Sequence, residues 1–164
     1  MPSHEITPRF SPDSRVLAYA YAKGPDAVVE LIRTDGSSVW RSRVPGRPVP
    51  GWQPVWLPAG DALLLLTRAP DGTAVWRLDR ARGDATRLFT VDRVLAWPSL
   101  DAGGDRLLCA SGGGAAGLVR LSLARMRLEE LTPSWPKVSP VLVFDPSEGG
   151  KAVLAFLARS REAL

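Results

Sequence analysis

One histidine, His4, and one cysteine, Cys109, are the chain's whole stock of side chains that ordinarily titrate or attack near neutral pH. Acid–base and nucleophilic catalysis need a base within hydrogen-bond reach of the reacting group. His4 stands among the first few residues, where chains fray. No Gly-x-Ser-x-Gly elbow accompanies it, so a Ser-His-Asp set would have to recruit this one imidazole. Cys109 lies inside Leu107-Leu108-Cys109-Ala110, an apolar run that reads as core. A lone cysteine forms neither an internal disulfide nor a thiolate metal cluster.

Two carboxylates are enough for glycoside hydrolysis, so the aspartates need separate inspection. Asp13, Asp35, Asp61, Asp71, Asp101, Asp105 and Asp145 all fall in turn-like segments, where Asp is favoured because it hydrogen-bonds its own backbone. Asp101 and Asp105 share one turn but lack the spacing of a calcium loop. Gly112-Gly113-Gly114-Ala115-Ala116-Gly117 lacks the Lys-Ser/Thr ending of a phosphate loop and reads as a hairpin connection. The expectation is a protein that is not an enzyme and requires no metal or cofactor.

What remains is chemistry suited to contact. Eighteen of the 21 basic residues are Arg, yet 17 acids are interleaved with them, which argues against a phosphate-binding stripe and against nucleic acid as a partner. Arginines recur as Arg33, Arg41 and Arg43, then Arg77, Arg80, Arg82 and Arg87, then Arg120, Arg125 and Arg127. Of the six tryptophans, Trp52, Trp97 and Trp135 stand near Pro54, Pro98 and Pro136, 45 and 38 residues apart. Trp and Arg are enriched at binding hot spots. The candidate interaction residues are therefore Trp52, Trp97, Trp135, Arg41, Arg43, Arg80, Arg82, Arg125 and Arg127. The competing reading makes the tryptophans internal packing and the arginines a solvated edge that discourages unwanted strand pairing.

The elements that must position these residues repeat. An aromatic or large apolar residue followed by a turn falls at Phe10, Trp56, Leu100 and Phe144, spaced by 46, 44 and 44 residues. After each comes a Pro-, Gly-, Asp- or Ser-rich reversal, then an apolar run: Val16 to Tyr19, Leu63 to Leu66, Leu107 to Ala110, and Val153 to Phe156. Short uninterrupted apolar runs suit strands buried on both faces. A third element centres on Val29, Val75 and Val119, and a fourth ends near Val44, Leu88 and Leu131. Three copies carry four strands each, and the last copy stops after its second. The 164 residues allow one domain with a real core.

Phe10-Ser11-Pro12-Asp13-Ser14 followed by Val16-Leu17-Ala18-Tyr19 resembles the aromatic-Ser-Pro-Asp-Gly signature of the TolB-type, WD-repeat-like (PD40-type) β-propeller repeat, with Ser14 in the usual glycine's place. Thr34-Asp35-Gly36-Ser37 resembles that family's turn between third and fourth strands. Trp56-Leu57-Pro58-Ala59-Gly60, Leu100-Asp101-Ala102-Gly103-Gly104 and Phe144-Asp145-Pro146 are degenerate copies. The resemblance implies an all-β array of about three and a half four-stranded blades. Their expected limits are about 5–46, 51–91 and 94–133, with a half blade at 138–159. Propellers of this kind occur in bacterial translocation proteins, in lipoproteins and as lids on prolyl oligopeptidases.

Propellers close with four to eight blades. An unclosed array leaves the faces of its end blades uncovered, a hazard that repeat proteins meet with caps or partners. The expected function is a protein-interaction or scaffolding module, completed by a second copy of itself or by a partner chain. The alternatives are a propeller segment of a larger enzyme such as a prolyl-oligopeptidase-like hydrolase, or a ligand-binding propeller. No signal segment opens the chain, and its apolar runs, such as Ala62 to Leu66 and Ala152 to Ala158, are far too short to cross a bilayer. That implies no membrane span and a cytoplasmic location by default, or a periplasmic or extracellular one if the chain is part of a TolB-like protein.

Overall fold

The computed structural model describes residues 8–49, 51, 53–112, 117–131, 139–142 and 154–157. All their regular structure is β. Strands β1 (Arg9–Phe10), β2 (Val16–Lys23), β3 (Asp26–Arg33) and β4 (Ser38–Val44) form the first sheet, antiparallel and in chain order. A second sheet repeats the plan with β5 (Val55–Trp56), β6 (Ala62–Ala69), β7 (Gly72–Asp79) and β8 (Ala85–Val91). The third contains β9 (Val94–Leu100), β10 (Arg106–Gly112), β11 (Gly117–Ser122) and β12 (Arg127–Glu130). Strands β13 (Ser139–Leu142) and β14 (Leu154–Leu157) pair antiparallel as a fourth, two-stranded sheet. The anchor expected at Phe144 lies outside the described residues.

The first hairpin of each four-stranded sheet is built the same way. The N–H groups of Ser14, Gly60 and Gly104 donate to the carbonyls of Ser11, Leu57 and Asp101, at 2.8, 2.8 and 3.0 Å. All three residues have positive φ, at 55, 69 and 77°. This left-handed position favours glycine. Ser14 occupies it with a side chain, which explains why the repeat signature carries glycine there.

The core lies between the sheets. Within β6, Leu63 and Leu65 face the first sheet and pack with Val16, Ala18, Val29 and Leu31. Leu64 and Leu66 face the third and pack with Leu107, Cys109 and Leu121. All four leucines are buried, as a strand covered on both faces requires. Each contributes about 1.5–3 kcal/mol of transfer free energy. Burial also pushes the Cys109 thiol up to about 12, leaving it protonated at neutral pH. No described helix is long and apolar enough to cross a membrane.

Candidate functional site

The seam between the first two sheets is tied by the Ser-Pro-Asp turn itself. The Ser11 hydroxyl donates to Asp13 Oδ1 at 2.6 Å, and the Arg15 N–H donates to the same oxygen at 3.1 Å. Asp13 Oδ2 is left to accept from Arg80 of the second sheet at 2.9 Å. The Ser11 hydrogen bond, then the Arg15 amide and the Arg80 guanidinium, lower the Asp13 carboxyl to about 2. Arg80 also donates to the Gly60 carbonyl at 3.1 Å and lies 5.8 Å from the centre of the Trp56 ring. Two indoles cross the same seam: Trp56 Nε1–H donates to the Arg9 carbonyl at 3.1 Å and Trp40 Nε1–H to the Arg80 carbonyl at 2.7 Å.

The opposite face of the first sheet has no described sheet against it. Cross-strand pairing aligns Phe10 with Leu17, Tyr19 with Glu30, Glu30 with Arg41, and Val28 with Arg43. Glu30 accepts from the Tyr19 hydroxyl, from the Tyr21 hydroxyl at 2.8 Å, and from the Arg41 guanidinium. Burial disfavours its ionised form, but these three donors outweigh burial and hold the carboxyl below its ordinary value. The same hydrogen bond raises the Tyr19 phenol to about 12. Phe10, at the edge of this face, is 61% exposed.

The equivalent positions in the next sheets are packed. Where the first sheet has Phe10, Tyr19 and Glu30, the second has Trp56, Leu65 and Trp76, all against the first core cluster. The third has Leu100, Cys109 and Val119, against the second cluster. The outward face is thus a mixed surface, with an apolar corner and a satisfied polar centre.

The candidate interaction residues are dispersed. Arg41 and Arg43 rim the outward face, their side chains 64% and 62% exposed, with Arg43 3.7 Å from Asp26. Arg80 is spent on the seam. Arg82 pairs with Asp84 at 3.3 Å, and Arg125 and Arg127 are exposed around the β11–β12 turn. Trp52 and Trp135, like His4, lie outside the described residues. Trp97 is exposed and has φ of 56°. With Pro98 it faces Cys109 alone across the ladder, a β-bulge on an edge strand, and its ring lies over Gly51, where a Cβ would come within 2.2 Å. Sequence reasoning missed Glu30, Tyr19 and Tyr21. The signal was a carboxylate interrupting Val28-Val29-Glu30-Leu31-Ile32. Among the described residues, no group of three or more His, Cys, Asp or Glu side chains could hold a metal ion.

Sequential four-stranded sheets, each a run of hairpin-connected antiparallel strands, packed face to face define an open β-propeller array. Neither a protein-family model nor a curated protein matches the sequence. Solved structures match the fold. TolB from Acinetobacter baumannii matches with a TM-score of 0.62 and 17% identity, over 85% of this chain and 35% of that one. A putative TolB from Agrobacterium tumefaciens matches with 0.57 and 18%, over 76% and 45%. Puromycin hydrolase matches with 0.63 and 23%, over 87% and 24%. The fold is that of a TolB-like β-propeller, and the chain spans less than half the length of each of these proteins.

Proposed function

We propose that the chain is a non-catalytic, propeller-type protein-interaction module and that a second chain, in the simplest case another copy of itself, covers the outward face of its first sheet. The observation that carries this reading is the exposure of Phe10 at a repeat position where Trp56 and Leu100 are packed. The neighbouring Tyr, Glu and Arg side chains support a reversible contact, since such interfaces mix an apolar anchor with satisfied polar groups. Arg41 and Arg43 at the rim make the association weaken with salt. Light scattering coupled to size-exclusion chromatography at micromolar concentration tests the reading. A mass that is a multiple of 17.7 kDa and falls with added salt is expected. A salt-independent monomer overturns self-association as the way that face is covered.

A further inference from the structure

A cleft of about 620 Å3 opens where the first and second sheets meet, on the side of the first sheet away from Phe10. Its floor is apolar, formed by Val16, Leu31 and Val39, and its rim carries Arg15, Arg33 and Arg80. Asp61 and Asp79 share the lining but are already occupied. Asp61 pairs with Arg77 at 3.1 Å, and Asp79 Oδ1 accepts the N–H groups of Ala81 and Arg82 at 2.9 and 3.0 Å.

The cations are occupied less fully. Arg80 is held by Asp13 and the Gly60 carbonyl. Among the described residues the Arg33 guanidinium hydrogen-bonds only the Ser37 hydroxyl, at 3.5 Å, and its charge helps lower the Asp35 carboxyl, which itself accepts from the Ser37 N–H and hydroxyl at 2.8 and 2.7 Å. The Arg15 guanidinium has no hydrogen-bond or ion-pair partner among the described residues.

The next seam is an internal control. The Arg15 carbonyl accepts from Thr34 just as the carbonyls of Asp61 and Asp105 accept from Arg80 and Leu123, which makes Arg15, Asp61 and Asp105 equivalent. Ladder pairing likewise equates Arg33 with Asp79 and Leu31 with Arg77. At the second seam the rim is therefore acidic, and an arginine stands at the floor position, neutralised by Asp61. Of these two seams, among the described residues, the first alone combines an apolar floor with a guanidinium that has no partner.

We propose that this cleft binds a carboxylate carried on an apolar body. Guanidinium forks match carboxylate geometry in charge and in hydrogen-bond direction. The floor requires an apolar group beside that carboxylate, and the volume is that of a small-ligand site. A free apolar acid and the C-terminus of a peptide present the same chemistry. A neutral ligand leaves the arginines uncompensated, and a bare inorganic anion leaves the floor uncovered.

Isothermal titration calorimetry with N-acetyl-leucine, an acetylated tetrapeptide ending in free leucine, and the amide of each tests the site. At least one acid binds and neither amide does, and binding falls by about tenfold or more when Arg15 and Arg33 are both changed to Ala. Both side chains lie at the exposed rim, so the far-ultraviolet circular dichroism of that variant is unchanged. Peptide binding tighter than that of the free acid identifies a chain terminus as the ligand, and equal affinities identify a small acid. Acid and amide binding alike, binding that survives the double variant, or no binding at millimolar acid overturns the proposal. Phe10→Asp, aimed at the association face, leaves the titration unaltered, so this site and the association reading fail separately.

Discussion

Arg80 on the second sheet donates to Asp13 in the first sheet's opening turn at 2.9 Å, across 67 residues of chain. One carboxylate thereby closes its own hairpin through Ser11 and Arg15 and ties that hairpin to the neighbouring sheet. The equivalent turn of the second sheet carries Ala59, and Leu123, equivalent to Arg80, packs into the core instead. Sequential sheets use one backbone plan with different side-chain fastenings.

Asp13 makes stability depend on pH at the acid end. Its folded value near 2 lies below its ordinary 3.8, so its contribution is fully present above about pH 4 and is lost as pH falls through 2. Glu30, Asp35 and Glu129 are shifted in the same direction. Asp13→Asn is expected to lower stability at neutral pH and to flatten, without abolishing, the acid limb. Urea midpoints measured across this range check it, and an unchanged acid limb contradicts the assignment.

Ser14 is expected to be improvable. A side chain in the left-handed region costs roughly 1–2 kcal/mol, partly offset by the greater unfolded-state freedom of glycine. Ser14→Gly should therefore stabilise by about 0.5–1 kcal/mol. Gly83→Ala should do the reverse, by about 1–3 kcal/mol, because its Cβ would meet the Trp40 ring at 2.7 Å at a φ of 75°. Thermal melting of the two variants should give shifts of opposite sign.

Thr67 is fully buried and serves two partners. It donates to the Pro45 carbonyl at 2.8 Å and accepts from Trp76 Nε1–H at 2.9 Å. Thr67→Val keeps the shape and orphans both, so a loss of about 1–3 kcal/mol is expected by denaturant titration. A neutral substitution would mean that other groups take over both bonds.

Strand order and turn geometry were legible in the sequence because they are local. Each hairpin carries its own Pro, Gly, Asp or Ser signal, and each apolar run has the length of a strand. The fastenings were not legible, since pairing Arg80 with Asp13, or seating Trp40 on Gly83, requires knowing how two separately formed sheets dock. The bulge at Trp97 is not legible for a related reason: only the ladder to β10 exposes the extra residue. Glu30 is visible in the sequence as a carboxylate inside the apolar element centred on Val29. Its role depends on Tyr19, Tyr21 and Arg41 arriving from adjacent strands.

Sedimentation equilibrium of the wild-type chain beside Phe10→Asp tests the association face directly. Phe10 is mostly exposed, so the substitution should leave the circular dichroism spectrum intact. The expected result is a wild-type mass above 17.7 kDa and a variant at that mass. Equal masses for two folded proteins would contradict the claim that Phe10 marks the surface where a second copy of the chain sits.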